Sequence, residues 1–590
     1  MSETDQKTSR RHFLAGSGVA VASGLMPAIN AEAKPAVSAN AFNGLALQDQ
    51  IWNFEKEPKH VSDAEISKTL DCDILIVGSG ASGMPATVAA VEAGQKVITI
   101  EKLSKEACMP KADRPDLGRA IGAWFGFPDH RLLARDGIKT DPQAEAASYI
   151  RGSLWRCNQQ VLQEVIRNSR KVSDWWLDKL AEQGINVDAL PLENNGERQE
   201  AAEFKNARPR PGCNIYWHHG MIICPAGIQE HALESWLGDN DFEITYGTAA
   251  KYLLRNKEGR VTGLVAQDVA SGKYIKINAS KGVILATGGY EGNKEMMKKY
   301  IPESNAYGEV FGKKTNTGDG YLMAQWIGCR MDPWPHCPQS WDGMSPEALK
   351  LGFDYIGVAR QAIWMYLNAY GERFMNEDAT FAGVGRSMYM QPHSMMWTVF
   401  DDHWRDRETV WKGKGTVCRR MTDKFVKFVL PMNTTKATEI MIKEGVILKA
   451  DSIEELAEKM KKAGPGLGIG DEISVETLRN QLNRYNELCR KGEDEDFGKD
   501  PQCLIPLDKP PYYACRTTVG ILVTQAGPLV NKHWQATDKK GHVVPGLYAI
   551  GNVSGGFNQY ETPMDAPLNS LSYAVTSGYL AARHCAGLKS

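Results

Sequence analysis

The stretch Asp73-Ile-Leu-Ile-Val77, Gly78-Ser-Gly80-Ala-Ser-Gly83, followed by alanine-rich sequence to Ala93-Gly94, decides the fold. A short apolar run of this kind suits a parallel strand buried on both faces. The glycines then open a helix, and Lys96 to Ile100 reads as a second strand ending in Glu101. Gly78 permits the tight turn, Gly80 lets backbone approach a pyrophosphate, and Gly83 lets helix and strand pack closely. The first helical turn offers free N–H groups and a partial positive charge to phosphates. Glu101 is placed to accept hydrogen bonds from ribose hydroxyls. GxGxxG alone is a weak signal. With the strand, the helix and the acidic residue in order, it reads as a βαβ nucleotide-binding unit.

The 590 residues around this unit allow two domains, or one domain with a large insertion. A formal net charge of -2, with 42% hydrophobic and 24% charged residues, supplies neither a basic excess for nucleic acid nor an acidic tail. Twelve cysteines occur without CxxC, CxxCH or clustered Cys/His spacing, so no c-type haem, iron–sulfur set or metal site is read. Free, buried thiols are expected, and Cys72 reads as core.

Residues 1–33 read as a twin-arginine export signal. Arg10-Arg11 precede a moderately apolar, glycine-containing stretch and Ala31-Glu-Ala33, a small-x-small cleavage site. Gly16, Gly18, Gly24 and Pro27 make it a poor membrane anchor. The expectation is a periplasmic or extracytoplasmic protein with no stable membrane insertion.

Further along, 34–65 is a polar extension and 141–184 a helical block. Val261 to Asp268 and Tyr274 to Asn278 form a hairpin turning at Ala270-Ser-Gly-Lys273. Gly282 to Gly289 is an apolar strand breaking into glycines. Between about 333 and 509 the texture turns aromatic- and methionine-rich, then helical. Ile453, Leu456 and Met460, after the Asp451-Ser452 cap, recur at helical spacing, as do Val475, Leu478, Leu482, Tyr485 and Leu488. Gly464-Pro-Gly-Leu-Gly-Ile-Gly470 mimics a nucleotide loop but follows a helix, which makes it a helix connection. After 510 come the strands Val519 to Thr524 and Gly546 to Gly551, then an alanine-rich helix to about Ala586.

From about residue 70 onward the sequence resembles the flavoprotein family of fumarate reductase and succinate dehydrogenase flavoprotein subunits, flavocytochrome c-type reductases and ketosteroid dehydrogenases. Beside Gly78–Gly83, the resemblance rests on Ala286-Thr-Gly-Gly-Tyr290, Thr317-Gly-Asp-Gly320 and Asn368-x-x-Gly371-x-Arg373-Phe-Met-Asn-Glu377. It also rests on Asn483-x-Tyr-Asn486 before Asp494-x-Asp-Phe-Gly498, and on Gly546-Leu-Tyr-Ala-Ile-Gly551. It implies an α/β fold, a Rossmann-like FAD-binding domain (66–332 and 510–590) with an inserted α+β cap (333–509), and non-covalent FAD. It assigns cofactor contacts to Gly78, Gly80, Ala81, Ser82, Gly83, Glu101 and Lys102 at the first turn. Ala250, Thr287, Gly288, Gly289 and Asp319 follow along the middle, and Gly551, Asn552, Asn569, Ser570 and Leu571 at the C-terminal end.

The family's proton-donor run is absent: Asn376-Glu377-Asp-Ala-Thr380-Phe381 puts Phe381 at the donor position. Arg516 replaces a substrate-binding histidine, and Met564-Asp-Ala-Pro-Leu-Asn569 replaces Asn-Arg-x-Gly-Gly-Asn. Fumarate and succinate are therefore disfavoured. Trp334, Trp341, Tyr355, Trp364, Tyr366, Phe381, Tyr389, Phe557 and Tyr560 would line a pocket for a flat, largely apolar substrate, or else fill the cap's core. Candidate catalytic residues are Tyr560, then Arg360, then Arg516 and His336. The expected activity is reduction of an activated C=C bond, with electrons from a separate periplasmic cytochrome or quinol-linked carrier. The alternatives are a ketosteroid-type dehydrogenase, which Ile121-Gly-Ala-Trp-Phe-Gly-Phe-Pro128 faintly suggests, and a pure electron carrier.

Overall fold

The computed structural model describes residues 51–109, 124–135, 139–187, 193–194, 197–198, 221–224, 226–301, 309–310, 314–351, 364–379, 381–406, 434–464, 473–558 and 568–588. Its first sheet contains β1 (Ile66–Val77), β2 (Val97–Ile100), β3 (Thr248–Arg255), β4 (Val261–Asp268) and β5 (Tyr274–Leu285). The second contains β6 (Cys337–Met344), β7 (Met365–Leu367), β8 (Met395–Asp401), β9 (Ile447–Ala450) and β10 (Tyr512–Gln525). β11 (Gln535–Thr537) and β12 (Val543–Ala549) return to the first sheet. The helices used below are α1 (Gly83–Glu92), α2 (Gln159–Glu182), α3 (Ala226–Asp239), α4 (Asp319–Trp326), α5 (Phe381–Tyr389), α6 (Ile453–Ala463), α7 (Val475–Lys491) and α8 (Ser570–Cys585).

The first sheet runs β11-β12-β5-β1-β2, with the β3–β4 hairpin joined through β4 to β5. β12, β5, β1 and β2 are mutually parallel. Ile74 to Val77 pair with β2 on one side and with Gly282 to Leu285 on the other. Every residue from Ile74 to Val77 is buried, which is why this run is continuously apolar rather than alternating. The structure differs from the sequence reading in two extents. β1 starts at Ile66, where its polar half pairs with the first half of β5 along an exposed margin. The hairpin's second strand and the apolar strand into the glycines are one unbroken strand, β5.

The second sheet is organised on β10, whose 14 residues accept β8 and β9 along Tyr512 to Thr518 and β6 from Thr518 to Gln525. Its core joins Trp364, Trp397 and Phe400 from the strands to Leu456 and Met460 of α6 and to Leu478, Leu482 and Tyr485 of α7. These are the helical positions that periodicity picked out. Ser452 and Ser474 cap α6 and α7 by accepting from Glu455 N and Thr477 N. Burying each such leucine or methionine contributes about 1.5–3 kcal/mol.

Two of the motifs meet in this second core as a knot of four charges. The Arg373 guanidinium donates to both oxygens of Glu377 (2.6 and 2.7 Å) and to both of Asp494 (2.9 and 2.6 Å). Lys499 Nζ donates to Tyr485 Oη at 2.7 Å and lies 3.5 Å from Glu377. Burial works against the Asp494 carboxyl, but Arg373 outweighs it and holds the group at about 2, while burial pushes Lys499 down. The motif charges Arg373, Glu377 and Asp494 are thus paired with one another inside the fold. Of the cysteines whose burial is described, all but Cys489 are buried, and Cys72 lies in the first core. Among the described residues no helix is long and apolar enough to cross a membrane.

Candidate functional site

At the carboxyl ends of β1 and β5 lies a cleft of about 1100 Å³, its open mouth included. This is where ligands bind open α/β sheets. The local geometry follows from the glycines. Gly78 has φ +103, and a Cβ there would sit 2.6 Å from Ala286 O; at Gly83 a Cβ would sit 1.9 Å from Gly78 O. Only glycine lets α1 press so closely on the turn. Ser82, at the start of α1, caps none of the helix amides with its side chain. Met84 N donates to Gly80 O at 3.0 Å and Pro85 has no N–H, so Gly83 N is the amide the first turn leaves for an anion.

Glu101 follows β2 and is 8% exposed. One carboxylate oxygen accepts from Ser79 N (3.0 Å) and Ser79 Oγ (3.1 Å), the other from Leu103 N (3.0 Å). The acid therefore shapes the glycine turn itself, and Oε1, which accepts only from Leu103 N among these donors, retains a lone pair for a ribose hydroxyl. Beside it, Lys102 Nζ donates to Asp319 Oδ2 and Thr317 Oγ1, each at 2.8 Å. Asp319 opens α4, whose Gly320 N donates to Thr287 Oγ1 at 3.1 Å.

Most of the residues that the resemblance assigned to the cofactor lie together on this cleft. Gly78, Gly80, Ala81, Ser82, Glu101 and Lys102 form its first edge, and Ala250, Thr287, Gly288 and Asp319 its middle. Asn552, Ser570 and Leu571 close its C-terminal end. Gly83, Gly289, Gly551 and Asn569 are not among the lining residues. Gly551 N donates to Ser577 Oγ of α8 at 3.1 Å. Asn569 caps α8 by accepting from Ser572 N at 3.1 Å. Sequence reasoning missed a set of lining residues, among them Asn316, Gln339, Leu522 and Val523. The last three belong to β6 and β10, so the second sheet supplies one wall.

Glu291 was missed as well, although an acid directly after Gly288-Gly-Tyr290 is a visible signal. It is 2% exposed. Oε1 accepts from Asn316 Nδ2 at 2.7 Å, and Oε2 accepts from Thr524 N (3.1 Å) and Thr524 Oγ1 (3.0 Å). Burial pushes its carboxyl up to about 7 against these hydrogen bonds.

Of the catalytic candidates, the described Arg516 and His336 are not among the residues lining this cleft. Tyr560 and Arg360 lie outside the described residues. Arg516, on β10, pairs through Nη2 with Glu347 Oε1, and Glu347 also accepts from Ser345 Oγ at 2.9 Å. Burial works to raise Glu347, but nearby amide donation and the Arg516 charge hold it below the usual carboxylate range. His336 is buried in a tyrosine cluster. Its Nδ1 meets Tyr290 Oη at 2.7 Å, and its ring stacks on Tyr300 at 4.3 Å. Burial pushes His336 down to about 3, leaving it a neutral packing residue at neutral pH. Of the two readings open for the aromatic residues, the core reading holds for several. Trp364 and Tyr366 are fully buried in the cores, and Phe557 stacks on Tyr573 at 3.8 Å. Tyr389 is exposed, and Trp334 donates from Nε1 to Lys299 O at 3.1 Å. Tyr355 and the side chains of Trp341 and Phe381 are outside what the structure describes.

The donor set fits FAD: a glycine turn at a helix N-terminus for the pyrophosphate, an acid for the ribose, and a long cleft continuing past Thr287 to Asn552. Comparison with known proteins points the same way. The chain is 26% identical over 541 residues to the vinyl phenol reductase of Lactiplantibacillus plantarum, covering 87% of this chain and 96% of that one. It is 24% identical over 594 residues to the 3-oxosteroid 1-dehydrogenase of Mycobacterium tuberculosis, covering 87% and 98%. The solved 3-ketosteroid delta1-dehydrogenase of Sterolibacterium denitrificans shares its fold, with a TM-score of 0.60 at 20% identity over 88% of this chain and 99% of that one. The pattern of the FAD-binding domain family matches residues 73–562. The chain therefore belongs to the FAD-binding domain family and is an FAD-dependent oxidoreductase.

Proposed function

We propose that this enzyme reduces an activated C=C bond of a flat, aromatic or otherwise largely apolar small molecule. Bound, non-covalent FAD supplies the hydride at N5. The observation that carries the reading is the composite cleft: Gln339, Leu522 and Val523 of the second sheet face the glycine turn and Thr287 of the first. A wall of this kind would help shield bound FAD from water, as hydride transfer requires. The similarity to a vinyl phenol reductase over nearly its whole length supports a neutral phenolic alkene as substrate class.

The chain's own residues hold the surroundings of the reaction. Asp332 accepts from Gly556 N at 2.9 Å and from Gly527 N at 3.1 Å, fixing the Gly555–Asn558 turn just before Tyr560. Asn158 N donates to Gly556 O at 2.6 Å and ties the same turn to the start of α2. We assign Tyr560 as first proton donor and Arg360 as second. Arg516 is committed to Glu347, which cancels its charge and leaves it poorly suited to clamp a carboxylate. The cap (333–509) closes over the flavin, and export by the twin-arginine route places the enzyme outside the inner membrane, fed by a separate electron carrier.

The similarity to a 3-oxosteroid 1-dehydrogenase favours one second reading, the same chemistry run in reverse on a steroid ketone. An anaerobic assay of the flavin-loaded enzyme separates the two. Reoxidation of reduced flavin by vinyl phenols or cinnamates supports reduction, and flavin bleaching by a saturated 3-ketosteroid supports dehydrogenation.

A further inference from the structure

We propose that the surface tip Leu154-Trp155 is the docking site of a one-electron carrier protein with an acid-rimmed contact face. The proposal rests on the reading that FAD lies in the cleft and draws its electrons from a separate carrier.

The backbone singles out the tip. At the end of the helix Pro142–Gly152, Leu154 N donates to Arg151 O at 2.9 Å and Trp155 N to Ile150 O at 2.8 Å. This pair of bonds closes a helix whose next residue turns left-handed, a place that glycine fills without strain. Here leucine and tryptophan fill it, with φ 52 and 58. Neither gains burial in return: Leu154 is 53% exposed and Trp155 65%. Strained residues that hold large apolar side chains in water work against folding, and such features are kept where a surface is used.

The surroundings say what the tip meets. Arg151 and Arg156 flank it, both exposed, and no carboxylate occurs between Glu145 and Glu164. Tryptophan and arginine are the side chains that most often carry binding energy at an interface, and a basic rim steers an acidic partner. A column of buried rings then runs inward from the same helix. Tyr149, in its last turn, lies 5.1 Å from Phe557 between ring centres, and Phe557 stacks on Tyr573 at 3.8 Å. Tyr149 Oη also donates to Asn558 Oδ1. Tyr573 belongs to α8, between Leu571 and Ala574, which line the cleft. Packed rings thus join the helix that carries the tip to the wall of the cofactor site. A membrane anchor has no use for that column, whereas an electron donor has. Two successive carriers, each oxidised by one electron, supply the two electrons that FAD takes up together with protons from solvent. Redox complexes of this kind are small, below about 1,200 Å² of buried surface, which suits a two-residue tip with a basic rim.

The test uses flavin-loaded protein and reduced plant-type ferredoxin, a small, acidic, low-potential one-electron carrier. Stopped-flow bleaching of the flavin should saturate with ferredoxin in wild type and slow about tenfold from low to high salt. W155G, and separately R151E with R156E, should lose about tenfold or more of that rate and of ferredoxin affinity by calorimetry. Methyl viologen radical, too small to need a docking face, should bleach all three proteins alike. W155G relieves a left-handed residue and should melt no lower than wild type. Equal ferredoxin rates in wild type and W155G, no reduction of wild type by ferredoxin, or a lower melt in W155G overturns the proposal. So does binding of wild type, but not of W155G, to phosphatidylglycerol vesicles, which would make the tip a membrane contact. Failure of methyl viologen to bleach any flavin in wild type would overturn the cleft reading instead, so the two failures are distinguishable.

Discussion

Replacing Gly83 by alanine puts a methyl 1.9 Å from Gly78 O, a backbone atom that cannot step aside. G83A is expected to cost about 1–3 kcal/mol or more by overpacking and to purify with less flavin than wild type. A urea melt and the flavin absorbance check this, and full flavin content at wild-type stability would contradict the tight-turn argument. At Glu101 the expectation is different in kind. E101Q puts an amide among the donors Ser79 N and Leu103 N, so FAD affinity should fall about tenfold or more, read by FAD release. His336 gives a pH prediction. Its folded value of about 3 lies below the unfolded value near ~6.5, so the unfolded chain holds the extra proton between them. The stability it confers is present above ~6.5 and lost as pH falls toward 3, by up to about 1.4 kcal/mol per pH unit. H336Q should flatten that acid-side fall in urea midpoint; an unchanged slope would show that His336 is not the buried neutral group described.

Among the elements, the charge knot between β7, α7 and the following turn makes the sharpest claim. E377A leaves Arg373 with Asp494 alone and removes the carboxylate 3.5 Å from buried Lys499, and should destabilise by about 3–5 kcal/mol, seen as a large drop in melting temperature. A melt within error of wild type would refute the knot. The elements themselves were legible in the sequence wherever their signal is local. β1–α1–β2 shows as an apolar run, glycines and an acid, and α6 and α7 show as a serine cap followed by helical spacing. What escaped depends on partners far apart in the chain. Arg373 and Asp494 are 121 residues apart, and Glu291 and Thr524 are 233 apart. No window of sequence reveals that pairing. The aromatic residues stayed open between two readings for another reason: a substrate lining and a packed core draw on the same residues, and burial places Trp364 and Phe557 in the core.

For the molecule as a whole, two sheets share one cleft, and the cofactor residues legible from the sequence map onto the first sheet's side of it. The second sheet's side was not legible, because Gln339, Leu522 and Val523 are ordinary strand residues given meaning only by where β6 and β10 lie. The catalytic assignment rests on Tyr560, and Y560F is expected to slow hydride-coupled turnover about 10²-fold or more while leaving FAD content unchanged. The central claim, reduction of an activated C=C bond, is tested most directly by anaerobic reoxidation of the reduced, FAD-loaded enzyme. The panel is a set of vinyl phenols, cinnamates, urocanate, fumarate and steroid enones. The account predicts rapid flavin reoxidation by an aromatic alkene, with fumarate inert. Rapid reoxidation by fumarate, or none by any alkene in the panel, would contradict it.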